Sequence, residues 1–305
     1  MRGSILPGGI IKNSETQEFS FDRVFHQNTT QEEIFEELAH LIQSALDGYH
    51  VCVFAYGQTS SGKTYTMQGE PSREREGMIP RSIKLIFETK KEMEALGWSY
   101  DIRASFLEIY NENVRDMLAV DTRRPLEIRF NEGRGTTVSN LTIVPVSTAE
   151  ELTDYMFKAQ EKRSIAVTNF NEHSSRSHAV AKIYIEARYK DEIFYGSVSL
   201  VDLAGSESAK FANSERLTET KNINKSLSCL GNVMLALHKK ESHIPFRDSK
   251  LTYLLQSSLG GNSKCLMIVH ISPTQDCFNE SINSLRFANQ VKTVKLASSK
   301  NRVVK

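Results

Sequence analysis

Cysteine is sparse in this sequence and never closely paired. Cys52, Cys229, Cys265 and Cys277 lie far apart in apolar or amphipathic stretches, with no C-x-x-C among them. They read as reduced core thiols of a cytosolic or nuclear protein, not as a disulfide framework. The eight histidines show no H-E-x-x-H or other metal-binding spacing. Excess charge is missing too: 38 Lys and Arg face 37 Asp and Glu, for a net charge of +1. That balance argues against a generally basic nucleic-acid binder, while leaving room for a local basic face. No apolar run approaches the ~20 residues of a membrane span, and no signal peptide precedes the first charged segment. Membrane insertion is therefore not expected, and the chain reads as soluble and intracellular. Repeats, low-complexity tracts and composition breaks are absent as well. What remains is 305 residues of ordinary globular composition, enough to bury a full core, and one domain is expected.

The opening "MRGSILPGGIIKN" is punctuated by Gly and Pro, and "MRGS" has the look of an expression-tag scar. Pattern begins after Phe19. "TTQEEIFEELAHLIQSALDG" puts Ile34, Phe35, Leu38, Leu41, Ile42, Ala45 and Leu46 on one helical stripe. Thr30 and Glu33 have capping-box spacing, and Gly48 stands where a helix would stop. A buried-strand candidate, "VCVFAY", follows. Pro80 is expected to open a helix that turns Ile83, Ile86 and Phe87 inward, and "YDIRASFLEIYNE" alternates as a strand does. Ser147 and Glu150 repeat the capping-box spacing ahead of another helix. Further strands are expected at "AVAKIYIEARY", "GSVSLVDLAG" and "KCLMIVHIS", with helices over 215–238, 249–258 and 279–293. Strands alternating with helices imply an α/β fold with a sheet covered on both faces.

Residues 54–67, "FAYGQTSSGKTYTM", carry the strongest local signal. Gly57, Gln58, Thr59, Ser60, Ser61, Gly62, Lys63 and Thr64 match G-x-x-x-x-G-K-S/T in full. A strand precedes the match, and Lys63 and Thr64 fall where a helix should begin. Backbone N–H groups from Ser60 to Lys63 can point at an anion, and the helix start adds positive potential. Lys63 would reach the β- and γ-phosphates of a nucleotide, and the Thr64 hydroxyl would ligate Mg²⁺. "VSLVDLAGSE" ends an apolar strand in Asp202, suited to the Mg²⁺ shell, with Gly205 in a flexible turn able to sense a γ-phosphate. Alone, that stretch would be an ordinary strand-end turn. "NEHSSRSH", from Asn171 to His178, offers short hydroxyl and amide groups that loops use to order around a γ-phosphate. Without the other two segments it would read as a polar surface loop. Arg176 and Glu207 are opposite charges on these two loops, and a pair between them is expected to close when nucleotide and metal are in place. Lys239, Lys240, Arg247 and Lys250 concentrate positive charge near two helix ends, suited to an acidic partner. No Asn-Lys-x-Asp guanine-reading segment occurs, so a GTPase is the less favoured reading.

Taken together, "FAYGQTSSGKTYTM", "NEHSSRSH", "LVDLAGSE" and "HIPFRDSKLTYLL" resemble the signature segments of the kinesin motor domain, in the same order over about residues 19–295. The resemblance implies a kinesin-like P-loop NTPase with a central mixed, mostly parallel sheet and helices on both faces. It also implies an ATP- and Mg²⁺-dependent enzyme that binds microtubules (tubulin) and generates force or movement along them. Tyr65 would lie beside the adenine. Asn171, Ser174 and Ser175 would belong to the first switch, with Ser175 completing the Mg²⁺ shell alongside Thr64 and Asp202. Gly205 and Glu207 would belong to the second switch, and Arg176 with Glu207 would help position the attacking water. The stretch 219–238 resembles the relay helix and its approach. His243, Arg247 and Lys250 match the basic cluster that meets tubulin. Residues 1–18 are left as an irregular N-terminal segment and 296–305 as a short basic tail. The expected location is the cytoplasm and the microtubule cytoskeleton, the spindle included.

"IQSALDGY", "FLEIYNE", "TETKNIN" and "DCFNESINSLRFA" resemble the C-terminal-motor class, which implies minus-end-directed movement and dimerisation through a coiled coil outside these residues. One departure stands out. The opening Arg-x-Arg-Pro-like strand of kinesin motors has no match before Phe19, where only "ILPGGIIKN" remains as a remnant. Its loss would leave sheet hydrogen-bonding groups unpaired. The alternative to an active motor is thus a non-catalytic or impaired microtubule-binding module.

Overall fold

The computed structural model describes residues 17–70, 72–131, 135–165, 173–207, 217–260, 263–294 and 299–304. The chain runs α1 (Gln31–Leu46), β1 (His50–Gly57), α2 (Lys63–Met67), α3 (Met78–Glu94), β2 (Ser99–Tyr110) and β3 (Asn113–Asp116). It continues through β4 (Ile128–Asn131), β5 (Gly135–Val138), β6 (Val144–Pro145), α4 (Ala149–Ile165), β7 (Ser177–Tyr189) and β8 (Glu192–Asp202). Last come α5 (Leu217–Lys239), α6 (Lys250–Leu254), α7 (Gln256–Leu259), β9 (Ser263–His270), α8 (Phe278–Lys292) and β10 (Arg302–Val304).

The central sheet has the order β3-β2-β7-β8-β1-β9, with β10 added to β8 and β6 to β2. It is mixed. β1 pairs in parallel with both β8 and β9, and the remaining pairings are antiparallel. Following these pairings, β2, β8, β1 and β9 run in one direction while β3 and β7 are reversed. Among the described residues β9 pairs with β1 alone. β4 and β5 form a separate antiparallel hairpin.

β1 shows how the core is divided. Alternate side chains point to opposite faces of a strand. Val51, Val53 and Ala55 join one apolar cluster with Leu38, Ile42, Ile83, Ile86 and Met156 from α1, α3 and α4. Cys52, Phe54 and Tyr56 join a second, with Leu227, Leu230, Val233 and Met234 of α5 and Leu251 of α6. Helices therefore cover both faces, and α8 seals the second one by stacking Phe287 on Tyr56 at 4.4 Å. Each full burial of a side chain such as Leu38 or Phe54 stabilises by about 1.5–3 kcal/mol. The four cysteines are free: Cys52 and Cys229 are buried, while Cys265 and Cys277 are half-buried.

Local signals explain the element boundaries, with some shifts. The Thr30–Glu33 capping box forms in full, the Glu33 N–H donating to Thr30 Oγ1 and the Thr30 N–H to Glu33 Oε2. α3 begins at Met78, so Pro80 sits in its first turn, where its missing N–H would have had no helical partner. The expected cap at Ser147 and Glu150 is displaced by one residue. The Glu151 N–H donates to Thr148 Oγ1, and the Glu151 carboxylate accepts from the Ser147 N–H. Residues 249–258, read as one helix, form the separate α6 and α7, broken at Leu255. Within the segment read as a tail, Arg302–Val304 pairs with Glu192–Phe194 of β8.

Candidate functional site

β1 delivers the chain into the loop 57–62 at the end of the sheet, and α2 starts at Lys63. Gly57 has φ +151°, and a Cβ there would lie 2.3 Å from the carbonyl oxygen of His270. Only glycine permits that approach of β9. Ser60 adopts φ +62°, a left-handed conformation that costs a non-glycine residue about 1 kcal/mol or more.

The loop is held from inside. Lys63 is buried and its Nζ donates to the carbonyls of Gly57 (2.9 Å) and Gln58 (2.8 Å). Burial holds this amine below the usual lysine range, while Asp202 and Glu207 pull it the other way. The Ser61 hydroxyl donates to Gln58 O at 2.7 Å. The Thr64 hydroxyl donates to Asp202 Oδ2 at 2.8 Å, so the phosphate loop meets the acidic end of β8 directly. Asp202 is buried, and among the described residues its Oδ1 has no hydrogen-bond partner. An orphaned buried carboxylate oxygen beside a threonine hydroxyl fits the hydration shell of a hard divalent cation.

Both expected switch segments converge here. The Gly205 N–H donates to the Ser175 carbonyl at 2.8 Å, and the Ser206 N–H to the Gly57 carbonyl at 3.1 Å. A Cβ on Gly205 would fall 2.3 Å from Thr59 Oγ1, so this segment packs closely against the loop. Glu207 accepts from the Thr59 N–H at 2.8 Å and from the Thr59 hydroxyl. Arg176 closes the short helical turn His173–Arg176, which leads straight into β7. Tyr65 is 45% exposed at the rim, its carbonyl accepting from Gln31 Nε2. Asn171 and the side chain of Ser174 lie outside the described residues.

Several groups near the site make contacts that the motifs do not announce. His178 is buried, with Nε2 2.8 Å from Ser226 Oγ on α5 and Nδ1 accepting the Ala204 N–H. Burial drops its pKa to about 3. His270 places Nε2 2.9 Å from Thr66 Oγ1, and burial lowers its pKa to about 4. Gln58 Nε2 donates to Cys277 Sγ at 2.8 Å. Arg163 and Glu108 are buried charges behind Asp202. Gln58 and His178 lie within the quoted signature segments, and Arg163 extends the helical stripe Leu152, Met156, Ala159, where an apolar residue is the norm; His270, Glu108 and Cys277 carry no such signal.

The basic residues lie elsewhere. Lys239 ends α5, Lys240 and His243 follow it, Arg247 sits in the turn Phe246–Asp248, and Lys250 begins α6. All five are exposed. The Arg247 guanidinium lies 5.5 Å above the Tyr253 ring, and the Lys250 N–H donates to Glu112 Oε2.

A strand, a glycine-rich loop and a helix whose first residue is a buried lysine, faced by an acidic strand end, define a P-loop NTPase-like fold. Within that class the chain belongs to the kinesin motor domain family, whose model matches residues 10–294. It is 54% identical over 288 residues to Protein claret segregational of Drosophila melanogaster, covering 93% of this chain and 40% of that protein. It is 50% identical over 291 residues to kinesin-like protein KIFC1 of Homo sapiens, covering 90% and 43% respectively. The chain thus spans about two-fifths of the length of these relatives. Among solved structures, the Kar3 motor domain of Saccharomyces cerevisiae superposes with a TM-score of 0.81 at 46% identity, covering 92% of this chain and 86% of that one. A fast kinesin gives a TM-score of 0.87 at 39% identity, covering 93% and 82%.

Proposed function

We propose that this chain is the force-generating part of a microtubule-stimulated ATPase that moves toward microtubule minus ends. The observation that carries the reading is a run of contacts in which the 205–207 segment meets the phosphate loop, through Ser206 with Gly57 and Glu207 with Thr59, and meets the first switch segment through Gly205 with Ser175. The His178–Ser226 contact continues this linkage into α5, whose far end carries the exposed basic cluster. A γ-phosphate bound at the loop would thereby bias a helix that ends at a track-binding surface. Direction is supported by likeness to carboxy-terminal kinesins, among them Carboxy-terminal kinesin 2 of Xenopus laevis at 49% identity. Dimerisation through a segment outside these residues is in keeping with the pairing of a C-terminal motor with a motor homology domain in Kar3Vik1, whose structure was solved as a fusion to a synthetic heterodimeric coiled coil. The microtubule cytoskeleton, with the spindle as one setting, is the corresponding location.

Mg²⁺ would be held by Thr64 and Asp202, joined by Ser175 when the first switch closes. Its contribution would be to neutralise charge on the β- and γ-phosphates. Lys63 would exchange the loop carbonyls for phosphate oxygens, Tyr65 would flank the adenine, and Glu207 with Arg176 would orient the attacking water. The test is ATP turnover with and without added microtubules. Slow basal hydrolysis that rises strongly with microtubules supports the motor. Absent hydrolysis combined with nucleotide-insensitive co-sedimentation would favour the rival reading, a non-catalytic microtubule-binding module.

A further inference from the structure

α2 has only five residues, Lys63–Met67, and isolated helices shorter than about 12 residues are marginal in water. It carries Lys63 at its first position, so the placement of that amine has to be imposed from outside. Three consecutive residues supply the anchors. The Thr64 hydroxyl donates to Asp202 Oδ2, Gln31 Nε2 donates to the Tyr65 carbonyl at 2.7 Å, and Thr66 Oγ1 lies 2.9 Å from His270 Nε2. On the proposed function Thr64 turns to Mg²⁺ when nucleotide binds, and its anchor is given up. The buried Thr66 keeps its own.

His270 also meets the loop ahead of α2. It is the β9 partner of Gly57 in the sheet register, and its carbonyl oxygen would lie 2.3 Å from a Cβ there. A Cβ on Gly62 would stand 3.8 Å from the ring carbon Cδ2. One residue thus lies against both motif glycines and the helix that follows them. The segment after His270 returns to the loop at Cys277, whose Sγ accepts from Gln58 Nε2 at 2.8 Å. Ser281 braces that segment, its hydroxyl donating to the Ser272 carbonyl and accepting the Ser272 N–H. Burial and the neighbouring Lys63 charge keep the imidazole neutral. It therefore meets Thr66 through one N–H or one lone pair, according to its tautomer.

We infer that His270 is a positioning residue for the nucleotide: through Thr66 and the two loop glycines it fixes the start of α2 and preorganises the phosphate loop. The inference rests on the reading that ATP binds at this loop. A loop held in its binding geometry in advance lowers the ordering cost of binding. That gain is the same for bound substrate and transition state, so it is read in KM and not in kcat. A residue serving only the stability of the fold would lower the urea midpoint and leave the affinity of the folded protein unchanged.

The experiment measures equilibrium binding of a fluorescent ADP analogue to the full chain, together with KM and kcat for ATP in the presence of microtubules. The proteins are wild type, His270→Leu, His270→Gln, Thr66→Val and the double variant His270→Leu/Thr66→Val. Loss of one ordinary hydrogen bond corresponds to about two- to tenfold in affinity. His270→Leu and Thr66→Val should each weaken analogue binding and raise KM by about that factor, with kcat near wild type. His270→Gln, which can return an amide nitrogen to the position of Nε2, should recover most of the loss. The double variant should be no weaker than the weaker single one, because both remove the same contact. Thr66→Val carries the test should His270→Leu not fold. Unchanged affinity in the folded single variants, additive losses in the double variant, or a fall in kcat at unchanged KM overturns the role of His270. A wild-type chain that binds neither nucleotide removes the ATP reading itself, and this inference with it.

Discussion

Glu207 and three desolvated histidines show what single residues contribute. The Glu207 carboxylate rests on Thr59 of the phosphate loop, accepting from its N–H and its hydroxyl. Its proposed work with Arg176 belongs to the closed, reacting state, so its removal should raise the barrier more than it weakens ground-state binding. Glu207→Ala is expected to lower kcat on the order of 100-fold, the usual scale for a group that orients or accepts a proton. ATP affinity, measured separately by equilibrium binding, should stay within a few-fold of wild type. A large loss of affinity at unchanged turnover would contradict the role. The histidines act on stability instead. Burial depresses His178 to about 3, and His50 and His270 to about 4. In the unfolded chain the same rings titrate near 6.5. Below that value the unfolded state binds protons that the folded state refuses, so stability is complete above pH ~6.5 and declines as pH falls toward the folded values. At pH 5.5 each ring subtracts about 1.4 kcal/mol. The urea midpoint should fall between pH 7.5 and 5.5; a flat profile would show that these rings are not held neutral.

At the scale of elements, α1 makes the clearest prediction because its start is set by two reciprocal hydrogen bonds. Thr30→Ala removes the acceptor for the Glu33 N–H and should cost about 1 kcal/mol, read as a lowered urea midpoint with an unchanged slope. Thr30→Ser should recover most of it. The same helix shows why parts of this fold could be read from sequence. Cap, stripe and stop are all local, lying in or within two residues of one 16-residue element. α4 was harder: Ser147 and Thr148 can both cap and Glu150 and Glu151 can both reply, and in the structure Glu151 bonds to both Thr148 and Ser147. The pairing of Arg302–Val304 with β8 depends on a distant partner, and neither it nor the break at Leu255 is announced by a local pattern. The site divides in the same way. Its loop is one contiguous motif, but Arg163 and Asp202 lie 39 residues apart and make sense only once α4 and β8 meet.

Across the whole molecule, α5 runs from the phosphate-loop region toward the basic surface, and the proposed function makes it the connection between them. α5 contacts the site through Ser226 and His178 and ends at Lys239, beside Lys240, His243, Arg247 and Lys250. With a net charge of only +1, this cluster is a local asymmetry and not a general property of the surface. Attraction between such a patch and an acidic track should be long-ranged at low salt and short-ranged near physiological salt. The screening length falls from ~30 Å at 0.01 M to ~8 Å at 0.15 M. Lys239→Ala combined with Lys250→Ala removes two charges while leaving the Lys250 N–H to Glu112 hydrogen bond in place. Microtubule co-sedimentation of this variant should be several-fold weaker than wild type at low salt, and the gap should narrow as salt rises. An identical gap at every salt concentration would mean that these lysines act by packing and not by charge, and the acidic-track reading of this surface would fail.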